Sequence, residues 1–299
     1  MLKEILKNEY PNKFNADVLY HYTSQGVVDI FARSESHLYC TKASELNDES
    51  EFKIGLERGL EYIKHNFSPG DFRSVEATLE EGKAKGLWLP WIMSFSSEGD
   101  DLNQWKGYVD QKNGGYSVGF NRQALEMVIE TKTFQWQNLT RLDGKPSSYI
   151  MYLFPCFYNG SDDIEKLLGI LFETILSDYM RLQALNPAPE GLKRVATIIS
   201  LLYLFAGIYK HEAYKDERET RIVLQNNTEI PAGEICDIGG KHRIPVPGIP
   251  ELITIKNCIK SVCSSPHGDR KAHELYLEGL SNDMGQNVTM ATSKIPYRG

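Results

Sequence analysis

Between Val195 and Tyr209 the chain reads VATIISLLYLFAGIY, fifteen residues without a charged side chain. A helix that is apolar all round has to be enclosed, by protein or by lipid. Spanning a bilayer takes about 20 such residues, so the run predicts a buried core helix. The rest of the fold must then supply walls on every side of it. The composition allows this: 41% of the 299 residues are hydrophobic and 24% are charged, as in ordinary globular proteins. MLKEILKNEYPNKF at the start lacks the apolar stretch of a secretory leader, and five cysteines without CxxC spacing predict reduced thiols and a cytoplasmic location. Cys258 and Cys263 alone are close, with no histidine pair beside them, so no zinc site is expected.

The pattern around the run predicts an α+β fold with a mixed, largely antiparallel β core and flanking helices. VLYHYTS (18–24), the start of 37–48, WIMSFS (91–96) and GGYSVGF (114–120) read as strands. QGVVDIFARS (25–34), 49–65, 71–85 and 121–130 read as helices, the middle two solvated and parted by Pro69-Gly70. DLNQWKGY opens a further helix with Asp100 or Asp101 as N-cap. Residues 133–159 read as aromatic strands and loops, and 161–185 as an amphipathic helix broken by NPAPEG. ERETRIVLQ (217–225) reads as a strand, KHRIPVPGIP (241–250) as a loop and 269–282 as a helix. The organisation predicted is one domain, 1–299, with 161–210 as a helical insertion.

Formal charge is −7, from 33 basic and 40 acidic residues, and no Lys/Arg run exceeds two. Nothing here reads as a footprint for duplex nucleic acid. P-loop, GxGxxG, GxSxG, HExxH and EF-hand patterns are all absent. Four polar clusters remain. His21-Tyr22-Thr23 ends an apolar strand; a neutral histidine suits a ribose hydroxyl, or equally a backbone bond in a core. Ser94-Phe95-Ser96 puts two hydroxyls on one face of a strand. The glycines of 114–120 permit close approach by a ligand or by another strand. Glu217 and Glu219, two apart on a predicted strand, project from one face about 7 Å apart. Such a pair is either neutralised by Arg218 and Arg221 or kept for chemistry.

LYHYTS, SELNDESE, SFSSEGDDLNQWKGY, GGYSVGF, ERETR and SKIPYRG occur in an order that resembles the bacterial domain-of-unknown-function 2971 family, across roughly residues 18–298. More distantly, a strand-borne histidine, a Ser-x-Ser strand and Glu-x-Glu resemble ADP-ribosyltransferases, with Phe95 where threonine is usual. That resemblance implies a split sheet and an enzyme that cleaves the nicotinamide–ribose bond of NAD and transfers ADP-ribose to a protein or nucleic-acid acceptor, as a toxin or phage-defence effector. It implies Glu219 beside the sugar cation, Glu217 at the acceptor, and His21 with Tyr22 and Thr23 at the ribose. Ser94 and Ser96 would fix Glu219, and Tyr108 or Tyr116 would stack on nicotinamide. NAD is then a substrate, with no metal and no membrane expected, and Glu219→Gln should remove turnover and leave the fold intact. Three alternatives accompany this reading. One is an NAD glycohydrolase on the same site. Another is a non-catalytic nucleotide- or RNA-binding module using Trp88, Trp91, Trp105 and Trp136 as stacking platforms. The third is a metal hydrolase built on Asp48, Glu217, Glu219 and His21.

Overall fold

The computed structural model describes residues 1–33, 37–46, 49–84, 89–138, 149–160, 163–182, 189–226, 235–238, 240–247, 254–285 and 287–296. Its strands are β1 (Val18–Thr23), β2 (His37–Lys42), β3 (Trp91–Ser96), β4 (Tyr116–Asn121), β5 (Tyr149–Pro155), β6 (Phe157–Tyr158), β7 (Tyr209–Lys210), β8 (Glu219–Asn226), β9 (Cys236–Ile238), β10 (Lys241–Pro247), β11 (Ile259–Ser264) and β12 (Thr289–Thr292). The helices are α1 (Leu2–Glu9), α2 (Gln25–Phe31), α3 (Glu49–Asn66), α4 (Pro69–Ala84), α5 (Leu102–Tyr108), α6 (Arg122–Asn138), α7 (Asp163–Gly169), α8 (Leu176–Leu182), α9 (Glu190–Ile208), α10 (Ile255–Cys258) and α11 (Arg270–Met284). A π-helical stretch, Ile170–Ile175, joins α7 to α8.

Among the described residues ten strands form one sheet in the order β12-β11-β4-β1-β3-β2-β10-β9, with β8 added on β3 and β5 on β8. All its pairs are antiparallel except β11 with β12. The fold is therefore mixed α+β with a largely antiparallel open sheet. Its centre is β3. One edge of β3 pairs with β8 along its whole length, Trp91 opposite Leu224 through Ser96 opposite Glu219. The other edge is shared: β2 joins at Trp91 and Ile92, and β1 joins at Ser96 alone. Between those points the two leaves diverge, and the sheet splits.

Alternation along β3 and β8 sends Ile92 and Val223 to one face and Trp91, Met93, Phe95, Ile222 and Leu224 to the other. The first face packs against α1, α3, α4 and the helices from α7 to α9. The second packs against α2, α6 and α11. The apolar run lies in α9, and every residue from Thr197 to Ile208 except Ser200 is buried. α9 is long and apolar enough to cross a membrane by length and composition, yet 61% of its apolar window is buried inside the protein. Each Leu, Ile or Phe enclosed there contributes about 1.5–3 kcal/mol relative to exposure. Its closest neighbour is α3. A Cβ on Gly59 would lie 2.3 Å from Leu202 Cδ1, and one on Gly55 3.0 Å from Ala206 Cα. These two glycines, one turn apart, let α3 approach α9 and bring Glu51 to the end of the apolar helix.

Several predicted elements change. The stretch read as a proline loop is strand β10 up to Pro247. Its prolines are tolerated because β9 pairs with 241–243; among the described residues Pro245 and Pro247 have β2 on one side and no strand on the other, as prolines in sheets require. The helix read over 121–130 continues to Asn138, displacing the strands expected from 133. The strand expected from Glu217 starts at Glu219, because Arg218 is left-handed (φ 46°). Glu217 belongs instead to a 3-10 turn, Glu212–Glu217. Of the proposed stacking platforms, Trp91 and Trp105 are buried in cores. Trp88, the Trp136 side chain, Asn47 and Asp48 lie outside the described residues.

Candidate active site

Where β1 and β2 part, no strand among the described residues covers the open side of the Ser94 carbonyl of β3. His21 of β1 compensates by donating Nδ1–H to that carbonyl at 2.9 Å. A carbonyl only accepts, so the other ring nitrogen, Nε2, is an acceptor when the ring is neutral. Burial keeps it neutral, holding the His21 pKa below 6.5 against the raising effect of the Ser94 bond, and the Arg243 guanidinium adds to the depression. The His21 ring lies over Phe31 and Phe95, with centroids 6.2 and 5.9 Å away.

The split opens into a cleft of about 780 Å³ lined from both leaves, from α2 and from the segment 210–221. That volume lies within the range of small-molecule sites. His21, Tyr22, Thr23, Ser94, Ser96, Tyr108, Glu217 and Glu219 all line it; Tyr116 does not. Tyr116 sits across the sheet, its hydroxyl on His273 Nδ1 at 2.8 Å and its ring against Tyr276. It is too far into the second core to stack on a ligand in this cleft.

The two glutamates meet by a route other than strand alternation. Arg218 turns the chain, and its side chain pairs with Glu98. The Glu217 carboxylate then swings back to Lys210 Nζ at 2.7 Å, while Glu219 reaches the same ammonium at 2.5 Å. Arg221 grips Glu219 from the other side, with Nε 2.7 Å from Oε1, and its Nη2 lies 2.8 Å from Glu51 Oε2. Glu51 is also 3.6 Å from Lys210. Five charged groups thus form one network, three carboxylates to two cations. Tyr108 donates to Glu217 at 3.2 Å, and the Lys210 ammonium lies 5.1 Å from the Tyr214 ring centre.

Burial of Glu219 would raise its pKa, but Arg221 and Lys210 outweigh it and hold the carboxyl at about 2. The same attraction reverses the effect of burial on Lys210 and raises its pKa. Ser94 and Ser96 do not fix the Glu219 carboxylate, as the sequence suggested. Ser94 serves His21 through its carbonyl, and the Ser96 hydroxyl donates to the Glu217 carbonyl at 2.8 Å. Lys210 and Arg221 hold Glu219 instead. Lys210 carried a signal in the sequence, since a lysine that directly follows a buried run is drawn inward with it. Glu51 carried none; it lies on a helix whose charges read as solvated. Among the described residues no group of three or more His, Cys, Asp or Glu is arranged to hold a metal ion.

These shifts set an acid limit. A group with a depressed folded pKa contributes stability above its unfolded pKa and loses it as pH falls. We expect stability to be flat near neutrality and to fall below about pH 6.5 as His21 and His267, both depressed by burial, begin to protonate in the unfolded chain. A second decline follows below 4.5, where Glu219 loses its contribution toward its folded value of about 2. Urea midpoints from about pH 2.5 to 8 would measure this. In His21→Gln the first decline should become shallower; an identical profile would contradict the assignment.

The chain matches no curated protein and no solved structure. Residues 104–222, which carry Tyr108, Lys210, Glu217, Glu219 and Arg221, match the model of a family described as "Protein of unknown function (DUF2971)", which supports the family resemblance read from the motifs.

Proposed function

We propose that the cleft cleaves the nicotinamide–ribose bond of NAD and passes ADP-ribose to a macromolecular acceptor. The observation that carries this reading is the charge network opposite a neutral His21. Breaking the bond sends its electron pair out with nicotinamide and leaves positive charge on the ribose C1′ and ring oxygen. A carboxylate beside C1′ favours that charge, and Glu219 is already ionised and held by two cations before reaction. The unprotonated Nε2 of His21 accepts from a ribose hydroxyl. The acceptor nucleophile bonds to C1′ and gives its proton to Glu217, which is less enclosed than Glu219, with its side chain 18% exposed. A role as a toxin or defence effector would follow from NAD consumption.

Glu217→Gln separates the steps. It leaves Glu219 with both its cations, so nicotinamide release from NAD without acceptor should stay within a few-fold of the parent protein. Transfer of labelled ADP-ribose to macromolecules in a cell lysate should drop about 10²-fold or more. Release by the parent protein without any labelling of lysate would replace the transferase with a glycohydrolase. No nicotinamide release, with or without lysate, would sink the reading.

A further inference from the structure

The leaf of the sheet formed by β2, β9 and β10 supplies the opposite wall of the cleft. In β10, Ile244 and Val246 point into the second core, so Lys241 and Arg243 lie on the other face, which is the cleft face. Thr41, directly across from Arg243 in β2, also lines the cleft. Arg243 differs from the cations of the facing wall. Lys210 and Arg221 are engaged by Glu51, Glu217 and Glu219. Arg243 has no carboxylate within salt-bridge distance among the described residues, and its Nε is buried without a hydrogen-bond acceptor. A buried guanidinium N–H left unmatched is unfavourable. In a chain of net charge −7, a cation placed in this way is suited to an anion that the protein itself does not supply.

We propose that Arg243, with Lys241 beside it and the Thr41 hydroxyl opposite, forms an anion subsite that holds the diphosphate of a nucleotide in the cleft. The guanidinium fork matches two phosphate oxygens, and the ammonium two residues along the strand, about 7 Å away, adds a second charge. The subsite lies on the His21 side of the split, so a diphosphate there orients the attached ribose toward His21 and the network of Glu217 and Glu219. This assignment rests on the NAD reading for what is attached to the diphosphate, but not for the anion itself.

The test is calorimetric binding of ADP and of adenosine to the full chain. ADP should bind at least 10-fold more tightly than adenosine. In Arg243→Gln that preference should fall by about 10- to 100-fold, the equivalent of a hydrogen-bonded charge, with adenosine unchanged. Arg243→Lys keeps the charge without the fork and should lose about 10-fold; it carries the test if the glutamine variant does not melt cooperatively. Equal binding of ADP and adenosine by the parent protein, or an undiminished preference in both variants, would overturn the subsite. Nicotinamide release separates this failure from that of the proposed reaction. ADP held through Arg243 with no cleavage of NAD would leave the subsite standing and remove the reaction. Cleavage with an unchanged KM in Arg243→Gln would do the reverse.

Discussion

Glu219→Gln is expected to destabilise the protein by about 3 kcal/mol, the low end of the cost of breaking a buried ion pair. The Glu219 side chain is 4% exposed and accepts from Lys210 and Arg221 at once. Glutamine offers one acceptor oxygen and one donor amide in the same space. Whichever cation meets the amide is left facing a donor. The cost stays at the low end because Glu51 and Glu217 still offset the two cations. This corrects the expectation that the substitution spares the fold. Lys210→Met would remove the donor that the amide clashes with, so the pair should couple: the double variant Lys210→Met/Glu219→Gln should be less damaged than the sum of the singles, by about 0.5–3 kcal/mol. Strictly additive losses in chemical denaturation would refute the network. Loss of turnover in Glu219→Gln by itself therefore says little about chemistry, which is why Glu217→Gln is the better probe.

How much of this was legible in the sequence depends on where each cause lies. The apolar run announced a core helix because its reason is local: fifteen residues with nothing charged have to be enclosed. The cap of α5 was legible too; Asp101 accepts from the N–H groups of Asn103 and Gln104. The convergence of Glu217 and Glu219 was legible in residue type but not in geometry. Strand alternation would have paired them, yet Arg218 in the left-handed region breaks the strand, and arginine gives no warning of that conformation. Glu51 was invisible because its partner Arg221 is 170 residues away. Tyr116 was misplaced for a related reason. The glycine before its strand, Gly114 (φ 74°), passes so near the His267 carbonyl that a Cβ would lie 2.4 Å from its oxygen. The close approach that glycine permits is to this chain's own backbone, not to a ligand.

Trp105→Ala is expected to cost about 3–5 kcal/mol, as for other buried aromatic truncations, and to disturb the cleft although Trp105 does not line it. α5 has seven residues, too few to hold a helix by its own backbone bonds. Two anchors fix it: the Asp101 cap, worth about 1 kcal/mol, and the fully buried Trp105 ring, 4.6 Å from Tyr22. The indole N–H also donates to Asp100, whose carboxylate accepts from the Ser293 hydroxyl at 2.6 Å and the Lys294 N–H at 2.8 Å. The ring thus ties α5, β1 and the segment after β12 together. Removing it outweighs losing the cap. Tyr108 ends the same helix and meets Glu217, so its loosening should reach the glutamate network. Trp105→Phe keeps most of the packing and leaves Asp100 its two other donors, so it should cost about 1–3 kcal/mol. If alanine and phenylalanine variants unfold at the same urea midpoint, packing is not what holds α5. If both lie within 1 kcal/mol of the parent, the cap alone suffices and the wall of the cleft is set by Asp101.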